Sequence, residues 1–387
     1  MPRFFIANFD FEDRLAERSD ARSRLGAQLL APVWQAVASA DDIILPPDPD
    51  PEAARSRVPR LDRGMDIEVI PWGWDSRAVA FAQAVAARPR AIPDPLAVAH
   101  VNSREFACQC ETELFPAQNS VWPITSSREF VSTTSSLEND VAWILKPNFS
   151  FAGRNCLRGR GMATSQHVAW LQKRLKTTGD RPAFFVLERQ LEAVAEFGLQ
   201  LDIPATGPIR TVGLVRNVVS STGAWLGCQF APPGFAEWNL YQEHISRTIS
   251  CVAQRMQSRG YFGPAGFDIM VYSEKSGTAE TRVRPLQDIN ARWTMGRLAL
   301  EWQQKLAAGR FGFWWHLRHR SVAAADEIVE AVRQQFRTSD AGVDVMSTNQ
   351  RACNTSEQTP LRLETFLFVA DELASLPAVN DIQRFRL

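Results

Sequence analysis

Lysine is scarce in this chain. There are only five, at 146, 173, 176, 275 and 305, so arginine carries most of the positive charge. No sign of charge dominates, since 43 Lys and Arg balance 43 Asp and Glu. That balance argues against a broad nucleic-acid footprint, which needs a basic face, and leaves room only for a local phosphate pocket. No apolar run approaches the 18 or so residues that span a bilayer. The opening MPRFFIANFDFEDR meets acidic residues within ten positions and lacks the apolar core of a signal peptide. The expectation is therefore a cytoplasmic protein with no membrane partner. Cys108-Gln-Cys110 is the only close cysteine pair among six, and no second pair completes a zinc site, so idle thiols are expected. NFDFEDR, after the first apolar run, contains no glycine, which excludes a dinucleotide fingerprint there. Neither GxxxxGK[ST] nor GxSxG occurs, so neither a Walker loop nor a nucleophile elbow is present. No internal repeat is visible.

What the chain does contain is a 387-residue sequence, 45% hydrophobic and 22% charged, long enough for two or three domains with substantial cores. Short apolar runs alternate with helical patterns over the first hundred residues, predicting an open α/β layer. FFIANF, ADDIILPP and DIEVIPWGW read as strands, with helices over 14–40 and 78–87. PWGWD offers an aromatic platform, although two tryptophans beside a glycine are more often packing residues.

The densest chemistry lies in GYFGPAGFDIMVYSEKSGTAETRVRPLQDINARWTMG, residues 260–296. It reads as two strands, 267–272 and 282–291, joined by a polar turn. Side chains alternate across a strand, so Asp288 and Asn290 share one face. Asp268 lies among apolar neighbours on the opposing strand, where an unpaired carboxylate is unfavourable. Two carboxylates and an amide oxygen form a hard donor set suited to Mg²⁺. Arg292, two residues on, adds a fork of donors for a phosphate or acyl phosphate.

Two further stretches carry signal. VAWILKP delivers Lys146 to the end of an apolar strand, beside the small-residue loop 149–155, an arrangement able to clamp phosphates. FFVLERQLEAVAEFGLQLDI reads as a strand, a short connector and a second strand, with Glu188 and Glu196 eight apart and Glu192 between them. Taken alone, ERQLEAVAE also fits an exposed amphipathic helical turn. In HVNSREF, Asn102 or Ser103 caps a helix that begins with Arg104. Residues 209–219 and 223–230 predict an antiparallel pair, in which Arg210 or Arg216 can face a substrate carboxylate. Residues 237–259 and 298–307 predict helices. FGFWWHLRHR places His316 and His319 three apart, as on a helical face, and both read as structural or surface histidines. Residues 340–358 read as a polar loop and 360–372 as a late strand.

GYFGPAGFD followed by DINARWTMG resembles the metal-binding end of the ATP-grasp superfamily, with Asp288 where glutamate is usual. The Lys146 strand end and the Glu188–Glu196 spacing lie in the order that superfamily requires, and residues 1–103 resemble its N-terminal pre-ATP-grasp domain in layout. The resemblance implies an ATP-grasp domain over 104–310, with a lid subdomain near 126–190 and a metal-binding subdomain near 191–310. Residues 311–387 are then an extension packing on the catalytic domain. It further implies ATP held by Arg104, Lys146, Ser150, Gly153, Arg154, Glu188, Leu191 at the adenine hinge and Glu196 at the ribose, and Mg²⁺ held by Asp268, Asp288 and Asn290. Arg292 and Lys146 are the implied catalytic groups. The implied activity activates a small-molecule carboxylate as an acyl phosphate and joins it to an amine. A kinase and a nucleotide-binding protein without catalysis remain alternatives, and a homodimer is left open as the assembly.

Overall fold

RFFI, IIL and EVIP are short apolar runs flanked by turn residues. In the computed structural model they form β1 (Arg3–Ile6), β2 (Ile43–Leu45) and β3 (Glu68–Pro71). The structure describes residues 2–58, 67–85, 91–115, 121–150, 154–176, 183–220, 225–273, 281–319, 324–337, 343–348 and 362–383. The three strands are parallel, in the order β2-β1-β3. Parallel neighbours require crossovers, and the segments between them supply helices. Where one helix over 14–40 was expected, the chain forms three short pieces: Phe11–Leu15, Ala21–Leu30 and a 3₁₀ turn at Ala31–Ala36. Asp20 causes the break, because its carboxylate accepts from the Ser23 backbone N–H and starts a new helix rather than continuing the old one.

The second sheet comprises β4 (Val121–Ile124), β5 (Ala142–Pro147), β6 (Leu157–Arg160) and β7 (Phe185–Arg189), in the antiparallel order β4-β7-β5-β6. Trp143, Leu145, Phe185 and Leu187 form its core with Phe130 and Leu171 from the helices Ser127–Ser135 and Ser165–Leu175. Gly159 is obligatory here, since a Cβ would lie 2.2 Å from the Trp143 ring.

The third sheet is the largest. It contains β8 (Glu192–Ile203), β9 (Arg210–Val219), β10 (Trp225–Phe230), β11 (Gly263–Ser273), β12 (Thr281–Asn290), β13 (Phe311–His319), β14 (Asp344–Ser347) and β15 (Arg362–Ala370). The order is β12-β11-β8-β9-β10-β13-β15-β14, antiparallel throughout. The helix Ala236–Ser258, expected over 237–259, buries Ile245, Ile249, Val252 and Met256, which recur at helical spacing.

Three expectations are corrected. FGFWWHLRH is not helical; it is β13, paired on both sides by β10 and β15. His316 is buried there, with its ring edge-on to Trp314 and Trp225. Within the polar stretch 340–358, residues 344–347 form β14 and the remainder of the described part is short. The connector expected after Glu188 shrinks to Gln190 and Leu191, because β8 begins at Glu192 and ERQLEAVAE is strand, not helix. The strands from residue 311 onward therefore extend the same sheet that carries Asp268 and Asp288. Among the described residues no helix is long and apolar enough to cross a membrane.

Candidate active site

β11 and β12 pair so that Asp268 faces Asp288 and Gly266 faces Asn290. Directly opposed side chains in such a pair have Cβ atoms about 4.5–5.5 Å apart. Immediately beyond the pair the register slips. Asp268 and Met270 are two apart on β11, whereas their partners Asp288 and Arg284 are four apart on β12. The bulge contains Pro285, which has no N–H to give to the ladder.

Asp268 is half-buried and accepts from the Asn290 side-chain amide at 3.1 Å. Burial and the opposing Asp288 push its carboxyl up to about 7. Asp288 is held by the Arg104 guanidinium, Nη2 to Oδ2, at 2.6 Å. Arg104 is the first residue of the helix Arg104–Leu114, which Ser103 caps by accepting from the Phe106 N–H. It is buried, and it also donates to the Pro147 carbonyl and the Ser150 hydroxyl, each at 2.7 Å. One arginine thus joins the acidic pair to the end of β5, where Lys146 sits.

The Lys146 ammonium lies 2.8 Å from Glu188. Glu188 is buried and also accepts from Arg284 at 2.9 Å, while Arg284 makes a two-pronged pair with Glu111, both bonds 2.8 Å. Burial alone would raise Glu188; the adjacent Arg284 and Lys146 instead draw it down to about 2. Glu188 is consequently a fixed anion that orients Lys146. Glu196, near the start of β8, is half-buried and raised by burial, with Lys146 acting against that rise. Leu191 lies in the two-residue link between the second and third sheets.

Arg292 follows β12. Its Nε donates to Glu12, and Nη1 and Nη2 donate at 2.8 Å to the Trp293 carbonyl and the Asn290 side-chain oxygen. Three of the five guanidinium N–H bonds are used and two remain. Glu12 is buried and shifted upward by burial against the pull of Arg292, and its second oxygen has no hydrogen-bond partner.

The structure thus places these residues in three hydrogen-bonded groups, Arg104–Ser150–Asp288, Lys146–Glu188 and Asp268–Asn290–Arg292. The first adjoins the third where Asp288 opposes Asp268 and the second at Pro147, and the charge of Lys146 acts on Glu196. Arg154 is exposed, and its charge acts on Asp13. Gly153 falls outside the described residues. Arg210, once a candidate for a substrate carboxylate, is exposed and pairs with Asp202. Glu192 is exposed at the sheet margin opposite Ser273. Cys108 and Cys110 are buried free thiols, each pushed up to about 11 by burial, which suits an idle role.

Three participants were missed in the sequence: Glu12, Glu111 and Arg284. A signal existed for two of them. Arg104, Cys108 and Glu111 stand at i, i+4 and i+7 on one helical face, and Arg284 shares strand parity with Asp288 and Asn290.

Among the described residues no three His, Cys, Asp or Glu side chains gather around one point. The donor set is instead open: two carboxylates and one amide. Asp268 has no cation in hydrogen-bond contact, and burial and repulsion from Asp288 outweigh the pull of Asn290 and Arg292. This fits Mg²⁺, which takes one or two carboxylates and completes its shell with water and phosphates.

No family model matches the sequence, and no curated protein matches it. Solved structures do match. N5-carboxyaminoimidazole ribonucleotide synthetase from Thermus thermophilus is 14% identical, with a TM-score of 0.54, over 99% of this chain and 98% of that one. The Aspergillus clavatus N5-carboxyaminoimidazole synthase, in complex with ADP and 5-aminoimidazole ribonucleotide, is 12% identical, with a TM-score of 0.54, over 99% and 97%. The biotin carboxylase domain dimer of Hydrogenobacter thermophilus 2-oxoglutarate carboxylase, in complex with MgADP, ADP and bicarbonate, is 11% identical, with a TM-score of 0.52, over 95% and 86%. With its three sheets in this order and a correspondence that runs nearly end to end, the chain has the ATP-grasp fold.

Proposed function

We propose that the chain is an ATP- and Mg²⁺-dependent ligase that activates a carboxylate as an acyl phosphate and joins it to an amine. One observation carries this reading: of two opposed carboxylates, Asp288 shares Arg104 with the strand end that presents Lys146, and Asp268 has no cation in hydrogen-bond contact. ATP would lie between the four-stranded and eight-stranded sheets, with the backbone of Leu191 at the adenine and Glu196 at the ribose. Lys146 keeps N–H bonds beyond the one directed at Glu188 and would donate them to phosphate oxygens. Ser150, Gly153 and Arg154 belong to the loop that would cover them.

Asp268, Asp288 and Asn290 would hold Mg²⁺, with Asp288 exchanging its bond to Arg104 for the metal and Arg104 turning to phosphate. Mg²⁺, when bound, supplies charge neutralisation to the triphosphate. A substrate carboxylate oxygen would bond to the γ-phosphorus as the bond to ADP breaks. The amine nitrogen would then bond to the acyl carbon as phosphate leaves, with loss of a proton from nitrogen. The two remaining N–H bonds of Arg292 would orient the carboxylate and stabilise the charge that develops. Relatives of the same fold bind ADP, 5-aminoimidazole ribonucleotide and bicarbonate, which supports a nucleotide and small-molecule substrates.

The test is phosphate release from Mg·ATP across pools of amino acids, dipeptides and small carboxylates, followed by amide detection. Asp288→Ala should lose at least about a hundredfold in turnover with an unchanged circular dichroism spectrum, the scale expected when a preorganised electrostatic contact is removed. Full activity in that variant removes the assignment. A second reading, nucleotide binding without turnover, is favoured by the protein carboxylates that already occupy Arg104, Lys146 and Arg292. Calorimetric Mg·ATP binding with no phosphate release from any pool would select it.

A further inference from the structure

The segment leaving β12, Ala291 to Trp293, forms one wall of a cavity of about 250 Å³. β3 with the residues flanking it forms another, and Ala82 and residues 91–93 and 261–264 complete the described lining. Small-molecule pockets usually span roughly 300–1,000 Å³, so this one suits part of a ligand, such as a side chain, and not a nucleotide. Its walls are aromatic and aliphatic, with Trp72, Trp74, Trp293, Tyr261 and Phe262 prominent. Among the described residues the charged side chains in the lining are Arg292 and Glu68, and Glu68 begins β3, about 13 Å from Trp72 at the usual strand rise of roughly 3.3 Å per residue.

The aromatic walls are fixed in advance. The Trp293 N–H donates to the Trp72 carbonyl at 3.0 Å, tying the end of β3 to the segment after β12. Behind both, Trp34 meets Trp72 edge-on at 5.8 Å and Trp293 edge-on at 5.4 Å. The Arg292 guanidinium lies over the Trp72 ring at 5.3 Å. A preformed apolar cavity with a guanidinium at its edge matches a molecule that is apolar at one end and carries a carboxylate at the other. A sugar phosphate or a dicarboxylate would leave its polar groups unpaired against these walls.

Building on the ligase reading, we infer that the cavity selects the acyl substrate. It seats a single-ring aromatic or branched aliphatic side chain, and the acid it belongs to places its carboxylate at Arg292. Burying such a side chain corresponds to about ten- to a hundredfold in affinity over an acid that lacks one.

Titration calorimetry on the full chain, with and without Mg·ATP, tests this using 3-phenylpropionate, L-phenylalanine and L-leucine against acetate, glycine and L-aspartate. The apolar acids should bind at least tenfold more tightly than acetate. Ala91 is exposed at the cavity margin, so Ala91→Trp should fill the space without disturbing the core. It should weaken the apolar acids at least tenfold and leave Mg·ATP affinity unchanged. Equal binding of acetate or L-aspartate, binding by none of the acids, or unchanged affinity in Ala91→Trp overturns the assignment, whatever ATP turnover shows. Blocked binding in Ala91→Trp together with no phosphate release in the parent upholds the cavity and instead removes the ligase reading.

Discussion

Asp268 is held in a state that a carboxylate avoids. It is half-buried, faces Asp288 and has only an amide as partner, which together push its carboxyl from 3.8 up to about 7. In Mg²⁺-free protein the unfolded chain loses this proton near pH 3.8 and the folded chain near 7. Between those values the folded state holds the extra proton, so this group makes stability fall as pH rises, by about 1.4 kcal/mol per pH unit, and has no further effect above 7. Asp268→Asn should abolish that decline and raise the urea unfolding free energy at pH 8 while eliminating Mg²⁺-dependent turnover. An unchanged pH dependence of stability would show that the carboxylate is already relieved. Asp288 and Asn290 on one face followed from strand parity, whereas their register against Asp268 is set by the pairing of β11 with β12. Arg292 beside Asn290 followed from the same parity, but Glu12, its partner, was not legible, because nothing local links residues 280 positions apart.

At the scale of elements, the buried chain Glu111–Arg284–Glu188–Lys146 joins a helix and three strands in two sheets: Arg104–Leu114, β12, β7 and β5. Removing the middle cation leaves two buried carboxylates facing each other. Arg284→Met should therefore destabilise the fold by about 3–5 kcal/mol at pH 7 in urea unfolding. A loss under about 1 kcal/mol would mean that water already reaches the pair. Strand parity put Arg284 on the Asp288 face but could not supply its partners, because Glu111 and Glu188 lie 173 and 96 positions away and only tertiary pairing brings them together. Other misreadings have the same root. FGFWWHLRH is apolar on both faces because β13 lies inside an eight-stranded sheet, so the alternation that marks a half-buried strand is missing. ERQLEAVAE carries glutamates at a helical spacing, and pairing of β8 with β11 and β9 overrides that local preference. By contrast, β11 and the helix Ala236–Ser258 were legible because each has an apolar face, Ala265, Phe267, Ile269 and Val271 on the strand and Ile245, Ile249, Val252 and Met256 on the helix.

Across the whole molecule, arginines tie the three sheets to one another. Arg18 donates to the Phe149 carbonyl at 2.6 Å, linking the N-terminal layer to the loop after β5. Arg292 and Glu12 link that layer to the eight-stranded sheet, and Arg104 links the four-stranded sheet to Asp288. Of these, Arg104 alone touches both the acidic pair and the end of the Lys146 strand, so its removal should loosen the four-stranded sheet selectively. Backbone hydrogen exchange in β5 and β6 should accelerate in Arg104→Ala, while β13 and β15, embedded in the large sheet, stay protected. A ligand bound only by the folded state stabilises it by about 2.7 kcal/mol at a hundred times its dissociation constant. Mg·ATP at that excess should confer this protection on the parent chain, and the same nucleotide concentration should protect Arg104→Ala far less. If β5 exchanges at the parent rate in the variant and Mg·ATP protects both equally, the two sheets are held by their packing, and Arg104 is neither the clamp between them nor a phosphate ligand.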